Sequence, residues 1–202
     1  LSVTPERKKE FEHIKNIDDL VVHLKKIRSK SEWIEKTLAQ YISIKHGFAF
    51  KGEFFTEKEN ENILVTPGNF EMGGGFKDAK FKYYLGECPD EYILKENDLI
   101  ITMTDLSKEG DTLGYPAKIP KDKSKKYLHN QRIGLVKFLS DDLDKEFLYW
   151  RLRTKDYQKN IVNSSTGSTV RHTSPSRIVE YKFFLPPLPE QKAIASILSS
   201  LD

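Results

Sequence analysis

Apolar positions change their period several times along this chain, and each change predicts a change of element. Phe11, Ile14, Ile17, Leu20, Val21, Leu24 and Ile27 recur at spacings of three and four after Thr4, Pro5 and Glu6. That is a helix start followed by one apolar stripe, with residues 16–19 as a point of division into two helices. Ser31 is placed to cap a further helix carrying Trp33, Ile34 and Leu38. From Tyr41 the pattern shortens. Residues 42–51 alternate and then break at Gly47 among aromatics, and Ile63-Leu64-Val65-Thr66 predicts a buried strand stopped by Pro67-Gly68-Asn69. Met72-Gly73-Gly74-Gly75-Phe76 predicts a flexible loop. Residues 92–104 predict a turn, with Asp98 as its acid, and then a hydrophobic strand; residues 127–138 predict entry into another.

Ser140, Asp141 and Asp142 open a predicted core helix through Leu143, Phe147, Trp150, Tyr157 and Ile161, which the Ser/Thr/Gly-rich residues 165–173 break. The last change of period is the sharpest. Pro186, Pro187 and Pro189 lack N–H donors and fix φ, so the strand through Phe183, Phe184 and Leu185 must end in a stiff elbow. Glu190 and Gln191 then open a helix whose stripe is Ile194, Ile197, Leu198 and Leu201. Two turns of helix are marginal alone, so that stripe is expected to bind a partner or to continue beyond Asp202. The expected organisation is a helical arm over 1–40, an α+β domain with a mixed or antiparallel sheet and packed helices over 41–186, and the start of a spacer helix over 187–202. The chain begins at Leu1, and both ends are expected to be cuts in a longer protein.

Composition narrows the class. A chain of 202 residues, 38% hydrophobic and 31% charged, accommodates one sizeable core with an appendage. No apolar run approaches the ~20 residues that cross a bilayer, and the lone Cys88 fits a reducing cytoplasm rather than a disulfide framework. Thirty-three Lys and Arg against 30 Asp and Glu leave a net charge of only +3, so a nucleic-acid face requires segregation of charge. Lys77, Lys80 and Lys82 interleave with Phe81, Tyr83 and Tyr84, a pattern that suits phosphates and bases and equally a half-exposed strand. Five lysines between Lys118 and Lys126 form either a solvated loop or a phosphate-contacting one. Asn130, Gln131 and Arg132 are residue types that read adenine and guanine edges, and Gly167, Ser168, Thr169 and Arg171 offer donors and charge to a phosphate. Phosphate-loop, zinc-protease and Cys-x-x-Cys patterns do not occur, the five histidines are scattered, and neither Asp78 with Lys80 nor Asp90 with Glu180 has convincing spacing for a metal-dependent nuclease. No catalytic residue, metal or cofactor is expected.

Leu185-Pro186-Pro187-Leu188-Pro189-Glu190-Gln191-Lys192 followed by Ile194 resembles the "LPPLxEQxxI" signature closing a target recognition domain in the specificity subunits of type I restriction-modification systems. Gly47-Phe48-Ala49-Phe50 is similar to the family's "GxAF" entry, and residues 94–105 resemble its "LxxGDLLIxxTG" segment, with Asn97 and Asp105 where glycines are usual. Asn130-Gln131 to Ile133 matches part of "NQxxxxI", and Gly167-Ser168-Thr169 matches the start of "GSTxxxxS". The resemblance covers about residues 41–202. It implies a non-catalytic cytoplasmic module that binds double-stranded DNA, reads one half of a split target, and assembles with methyltransferase subunits and a restriction subunit. Lys45, Lys51, Lys77, Lys80, Lys123, Lys125, Asn130, Gln131, Arg132, Gly167, Ser168, Thr169 and Arg171 would then contact DNA, and Ile194, Ile197, Leu198 and Leu201 a partner, including a second copy. The alternatives are the recognition part of a fused adenine methyltransferase-endonuclease, and a helical protein-interaction domain that touches no DNA.

Overall fold

The computed structural model describes residues 33–200 together with Asp19 and Val22, so all but those two positions of the expected helix over 11–27, and Leu201, lie outside the described residues. In chain order the strands are β1 (Ile34–Thr37), β2 (Ile42–His46), β3 (Phe55–Thr56), β4 (Asn62–Val65), β5 (Lys82–Tyr84), β6 (Ile93–Leu94) and β7 (Leu99–Thr102). There follow β8 (Thr104–Asp105), β9 (Pro116–Lys118), β10 (Lys126–His129), β11 (Ile133–Phe138), β12 (Arg171–His172) and β13 (Lys182–Leu185). Within residues 33–200 the α-helices are α1 (Lys145–Leu152), α2 (Lys155–Ser164), α3 (Pro175–Val179) and α4 (Leu188–Ser199).

This is the expected α+β class, built in layers. One antiparallel sheet runs β2-β11-β7-β9; a mixed sheet runs β3-β5-β4-β10-β6, with β10 parallel to β4. All four residues of β7 are buried because it has cover on both sides: Leu99 and Ile101 face the helices, and Ile100 faces the second sheet. A strand covered twice reads as a continuous apolar run, which is why its sequence signal is strong. Ile63, Val65 and Tyr127 of the mixed sheet meet Ile100, Ile133 and Leu135, while Leu64 and Leu128 point the other way, into a small cluster with Phe50 and Tyr84.

Three expectations are corrected. Residues 34–37 are strand rather than helix, paired antiparallel to β13 from Ile34↔Leu185 to Thr37↔Lys182. A β partner far away in sequence overrides a helical pattern here. The predicted single core helix is two, although Leu143, Phe147, Trp150, Tyr157 and Ile161 are all buried in one core. Thr154 Oγ1 donates to the Arg151 carbonyl at 2.9 Å and accepts from the Tyr157 N–H at 3.3 Å, closing one helix and capping the next. Asp144, not a residue of 140–142, caps the first by accepting from the Phe147 N–H.

The third correction concerns the elbow. It forms as expected, with Pro187 at the N-cap of α4, but the stripe beyond it is already covered. Ile194, Ala195 and Leu198 are buried in the core that holds α1, and Trp150 Nε1 donates to Ser199 Oγ at 3.0 Å. Ile194 and Leu198 are therefore core residues rather than a partner-binding stripe; Ile197 is half-buried. Gln191 locks the joint: its Oε1 accepts from the Asp144 N–H at 2.8 Å, and its Nε2 donates to the carbonyls of Asp142 and Pro186, both at 2.9 Å.

Candidate nucleic-acid interface

The expected strand over 127–138 is two strands in different sheets, joined by a turn held by backbone and side-chain hydrogen bonds. His129 ends β10, fully buried, and its Nε2–H donates to the Ile133 carbonyl at 2.8 Å. Burial drives its pKa down to about 4, so the ring is neutral at pH 7 and fixed in that tautomer. Asn130 accepts from the Arg132 N–H on Oδ1 at 3.0 Å, and the Ile133 N–H donates to the Asn130 carbonyl. Phe48 brackets the turn from one side, its N–H donating to the His129 carbonyl and its carbonyl accepting from the Gln131 N–H. On the other side the Met103 N–H donates to the Arg132 carbonyl.

Gly47 explains why this bracket needs a glycine. A Cβ there would lie 2.2 Å from the Asn130 carbonyl oxygen, which no side chain survives without moving backbone. Two motifs remote in sequence, 47–50 and 130–132, thus form one unit, and Gln131 and Arg132 project from it exposed. Asn130 is set back from them. It is 9% exposed and its Oδ1 accepts from the Arg132 N–H, so its side chain braces the turn from which the other two project.

A hairpin stands beside this turn. Thr166 and His172 exchange both backbone hydrogen bonds, at 3.0 and 2.8 Å, and β12 pairs with β8, the two residues following Met103. Gly167 takes φ +93°, where a Cβ would lie 2.0 Å from the Val170 carbonyl oxygen; Gly167, Ser168 and Thr169 are exposed at the tip. Arg171 is half-buried, its Nε–H donating to the Lys108 carbonyl and one terminal nitrogen to Ser165 Oγ at 3.1 Å. Asp105 organises the loop that receives it. Its buried carboxylate accepts from the Ser107 N–H at 2.7 Å and from the N–H and hydroxyl of Thr112 at 2.5 and 2.7 Å. Burial raises the acid's pKa, but these donors outweigh it and hold the carboxyl below the usual carboxylate range.

The lysines fall elsewhere. Lys125 directly precedes β10, about 16 Å along the strand from Asn130, and Lys123 sits in the turn before it. Lys125 pairs with Asp78 at 3.5 Å and Asp122 at 3.3 Å and sits over the Phe81 ring, which places Lys77 and Lys80 in the same neighbourhood. Lys77, Lys80 and Lys123 are exposed. Lys45, on β2, pairs with Glu91 at 2.8 Å over the Tyr92 ring, which itself packs on Phe48; Lys51 is exposed just beyond Phe50. The glycine loop before Lys77 is pinned: the Gly75 N–H donates to the Pro116 carbonyl, and Arg153 Nε donates to the Gly73 carbonyl. Asp98 is the expected turn acid, accepting from the Lys95 N–H, and Asn97 takes φ +63° where the resemblance has glycine. The bracketing roles of His129, Met103 and Asp105 carried no sequence signal beyond their neighbours' motifs. Among the described residues no three His, Cys, Asp or Glu side chains converge as a metal-holding group, and no helix is long and apolar enough to cross a membrane.

The domain is a mixed-sheet α+β fold that presents polar and basic side chains on backbone-pinned turns and carries a proline elbow leading into a helix. The family model for the type I restriction modification DNA specificity domain matches residues 30–202, and the chain belongs to that family. It is 30% identical over 169 residues to the type I restriction enzyme EcoBI specificity subunit of Escherichia coli, covering 84% of this chain and 32% of that subunit. It is 26% identical over 175 residues to the MjaVIII specificity subunit of Methanocaldococcus jannaschii, covering 85% and 40%. The chain thus spans about a third to two-fifths of these relatives. The crystal structure of a type I restriction-modification S subunit from M. genitalium shares the fold, with a TM-score of 0.55 at 21% identity over 85% of this chain and 39% of that one.

Proposed function

We propose that this chain is a non-catalytic recognition module that binds double-stranded DNA and reads one half of a bipartite target for a type I restriction-modification complex. The observation that carries the reading is the turn at 130–132, held by Gly47, Phe48, His129 and Met103, from which Gln131 and Arg132 project. A side chain on a rigid turn loses little backbone entropy on docking, and Arg and Gln match guanine and adenine edges in the major groove. The tip of the 166–172 hairpin and Lys45, Lys51, Lys77, Lys80, Lys123 and Lys125 supply phosphate contacts that set register without reading sequence. Methyltransferase and restriction subunits carry the chemistry and assemble around the module. Work in the cytoplasm follows from that role.

Selection of duplexes from a random pool, with the cognate methyltransferase subunit present, tests this. The expected result is a short enriched half-site whose affinity falls with salt at a slope of roughly −0.9 per phosphate contact in log–log form. A salt-independent response, or no enrichment, overturns it.

A further inference from the structure

Three segments leave one edge of the antiparallel sheet. β7 and β11 run antiparallel with Thr102 opposite Ile133, so the chain leaving β7 and the chain entering β11 emerge together. The first becomes the connection over 103–115 to β9, the second is the 130–132 turn, and the pairing of β8 with β12 adds the 166–172 hairpin. Among the described residues, every exposed side chain on 103–112, 130–132 and 166–172 is polar except one. Leu106 is 70% exposed, three residues beyond Met103, whose N–H donates to the Arg132 carbonyl. Its loop holds it out. Before it, the Asp105 carboxylate accepts from Ser107 and Thr112; after it, Ser107 Oγ accepts from the N–H groups of Gly110 and Asp111 at 3.0 and 2.9 Å, and Arg171 donates to the Lys108 carbonyl. A lone exposed leucine is ordinary. This one stands on a backbone pinned at both sides and beside the turn that carries Gln131 and Arg132.

Charge does not select what Leu106 meets, since its exposed neighbours Lys108, Glu109 and Asp111 are of mixed sign. Position does. Gln and Arg on the adjoining turn match base edges in the major groove, and the apolar group on those edges is the C5-methyl of thymine. Cytosine carries only a hydrogen at that carbon, and the minor groove presents no methyl at all. A leucine side chain resting on the methyl removes apolar surface of both from water, which hydrogen-bonding side chains cannot do. We propose that Leu106 is a specificity-determining residue that packs against a thymine C5-methyl within the half-site read by Gln131 and Arg132. The turn reads donors and acceptors; Leu106 adds a methyl that they do not sense. The proposal deepens the preceding functional reading and rests on it, but its test separates the two.

The wild-type full chain and Leu106→Ala, each with the methyltransferase subunit present, are titrated against the duplex enriched from the random pool and against copies in which each thymine in turn is replaced by deoxyuridine. That replacement removes the C5-methyl and leaves the hydrogen-bonding edge intact. The expected result is one thymine at which it raises the wild-type Kd about fourfold, the worth of one buried methyl group, while Leu106→Ala binds both duplexes alike. Thermal unfolding of the variant should match the wild type, because the side chain is exposed. A wild-type chain indifferent to every replacement, an enriched half-site without thymine, or a variant that keeps the wild-type sensitivity overturns the proposal. So does a loss in Leu106→Ala that is the same for thymine and deoxyuridine duplexes, which would assign the residue to a contact blind to the methyl. Failure of the functional reading shows separately, as a wild-type chain that enriches no duplex.

Discussion

Gln131 and Arg132 leave the C-terminal end of β10 from a turn bracketed by Phe48 and Met103 and filled by His129 and Asn130, whereas Lys123 and Lys125 enter its N-terminal end from a loop braced chiefly by Asp122 and Asp78. The first end fixes position and direction, which hydrogen bonding to base edges requires. The second fixes little more than charge, and phosphates ask for no more, because a lysine on a long stem finds a charged oxygen from many rotamers. One strand therefore joins a stiff end suited to discrimination and a compliant end suited to affinity.

The strongest way to break the contrast is Gly47→Ala. Its methyl would press on the Asn130 carbonyl at 2.2 Å, so unfolding in urea is expected to show a loss on the order of 3 kcal/mol, accompanied by weaker preference among duplexes. An unchanged urea midpoint would mean that the turn is not held there. Next is pH. An unfolded histidine takes a proton near 6.5, while His129 resists until about 4. Protonation therefore favours the unfolded chain in that window: stability is full above pH 6.5 and falls by about 3 kcal/mol toward pH 4, levelling below. His129→Gln, which retains a donor for Ile133, should flatten this slope in denaturant melts collected across pH. The smallest effects separate the two ends directly. Arg132→Ala should relax preference at one base position by about 1–3 kcal/mol, whereas Lys80→Ala with Lys123→Ala should weaken every duplex alike and lower the salt slope by roughly 0.9 per contact removed. Equal loss across sequences for both variants would erase the distinction.

Much of this architecture was legible in the residues, for identifiable reasons. Buried strands such as β4 and β7 announced themselves by unbroken apolar runs, and three prolines announced the elbow. What was not legible depended on partners distant along the chain. Residues 34–37 carry helix-like spacing and become strand because β13 lies alongside. The stripe at Ile194 and Leu198 looked uncovered because its cover is supplied by α1. At the 130–132 turn, residue types pointed to Asn130, Gln131 and Arg132 together, yet only the fold separates the one whose side chain braces the turn from the two that project. Gly47 stood out as a break in a strand, but that it presses against Asn130 is a fact of tertiary approach.

One amide side chain has a bearing on everything that leaves the domain. Gln191 grips the Pro186 carbonyl and the 142–144 backbone at once, so α4 departs on a set heading instead of swivelling at the prolines. Whatever packs along the outer side of that helix, where Lys192 and Ser196 face solvent, inherits this bearing. An inserted residue in α4 would rotate such a neighbour by about 100° and shift it about 1.5 Å, so spacing beyond the elbow is read as an angle as much as a length.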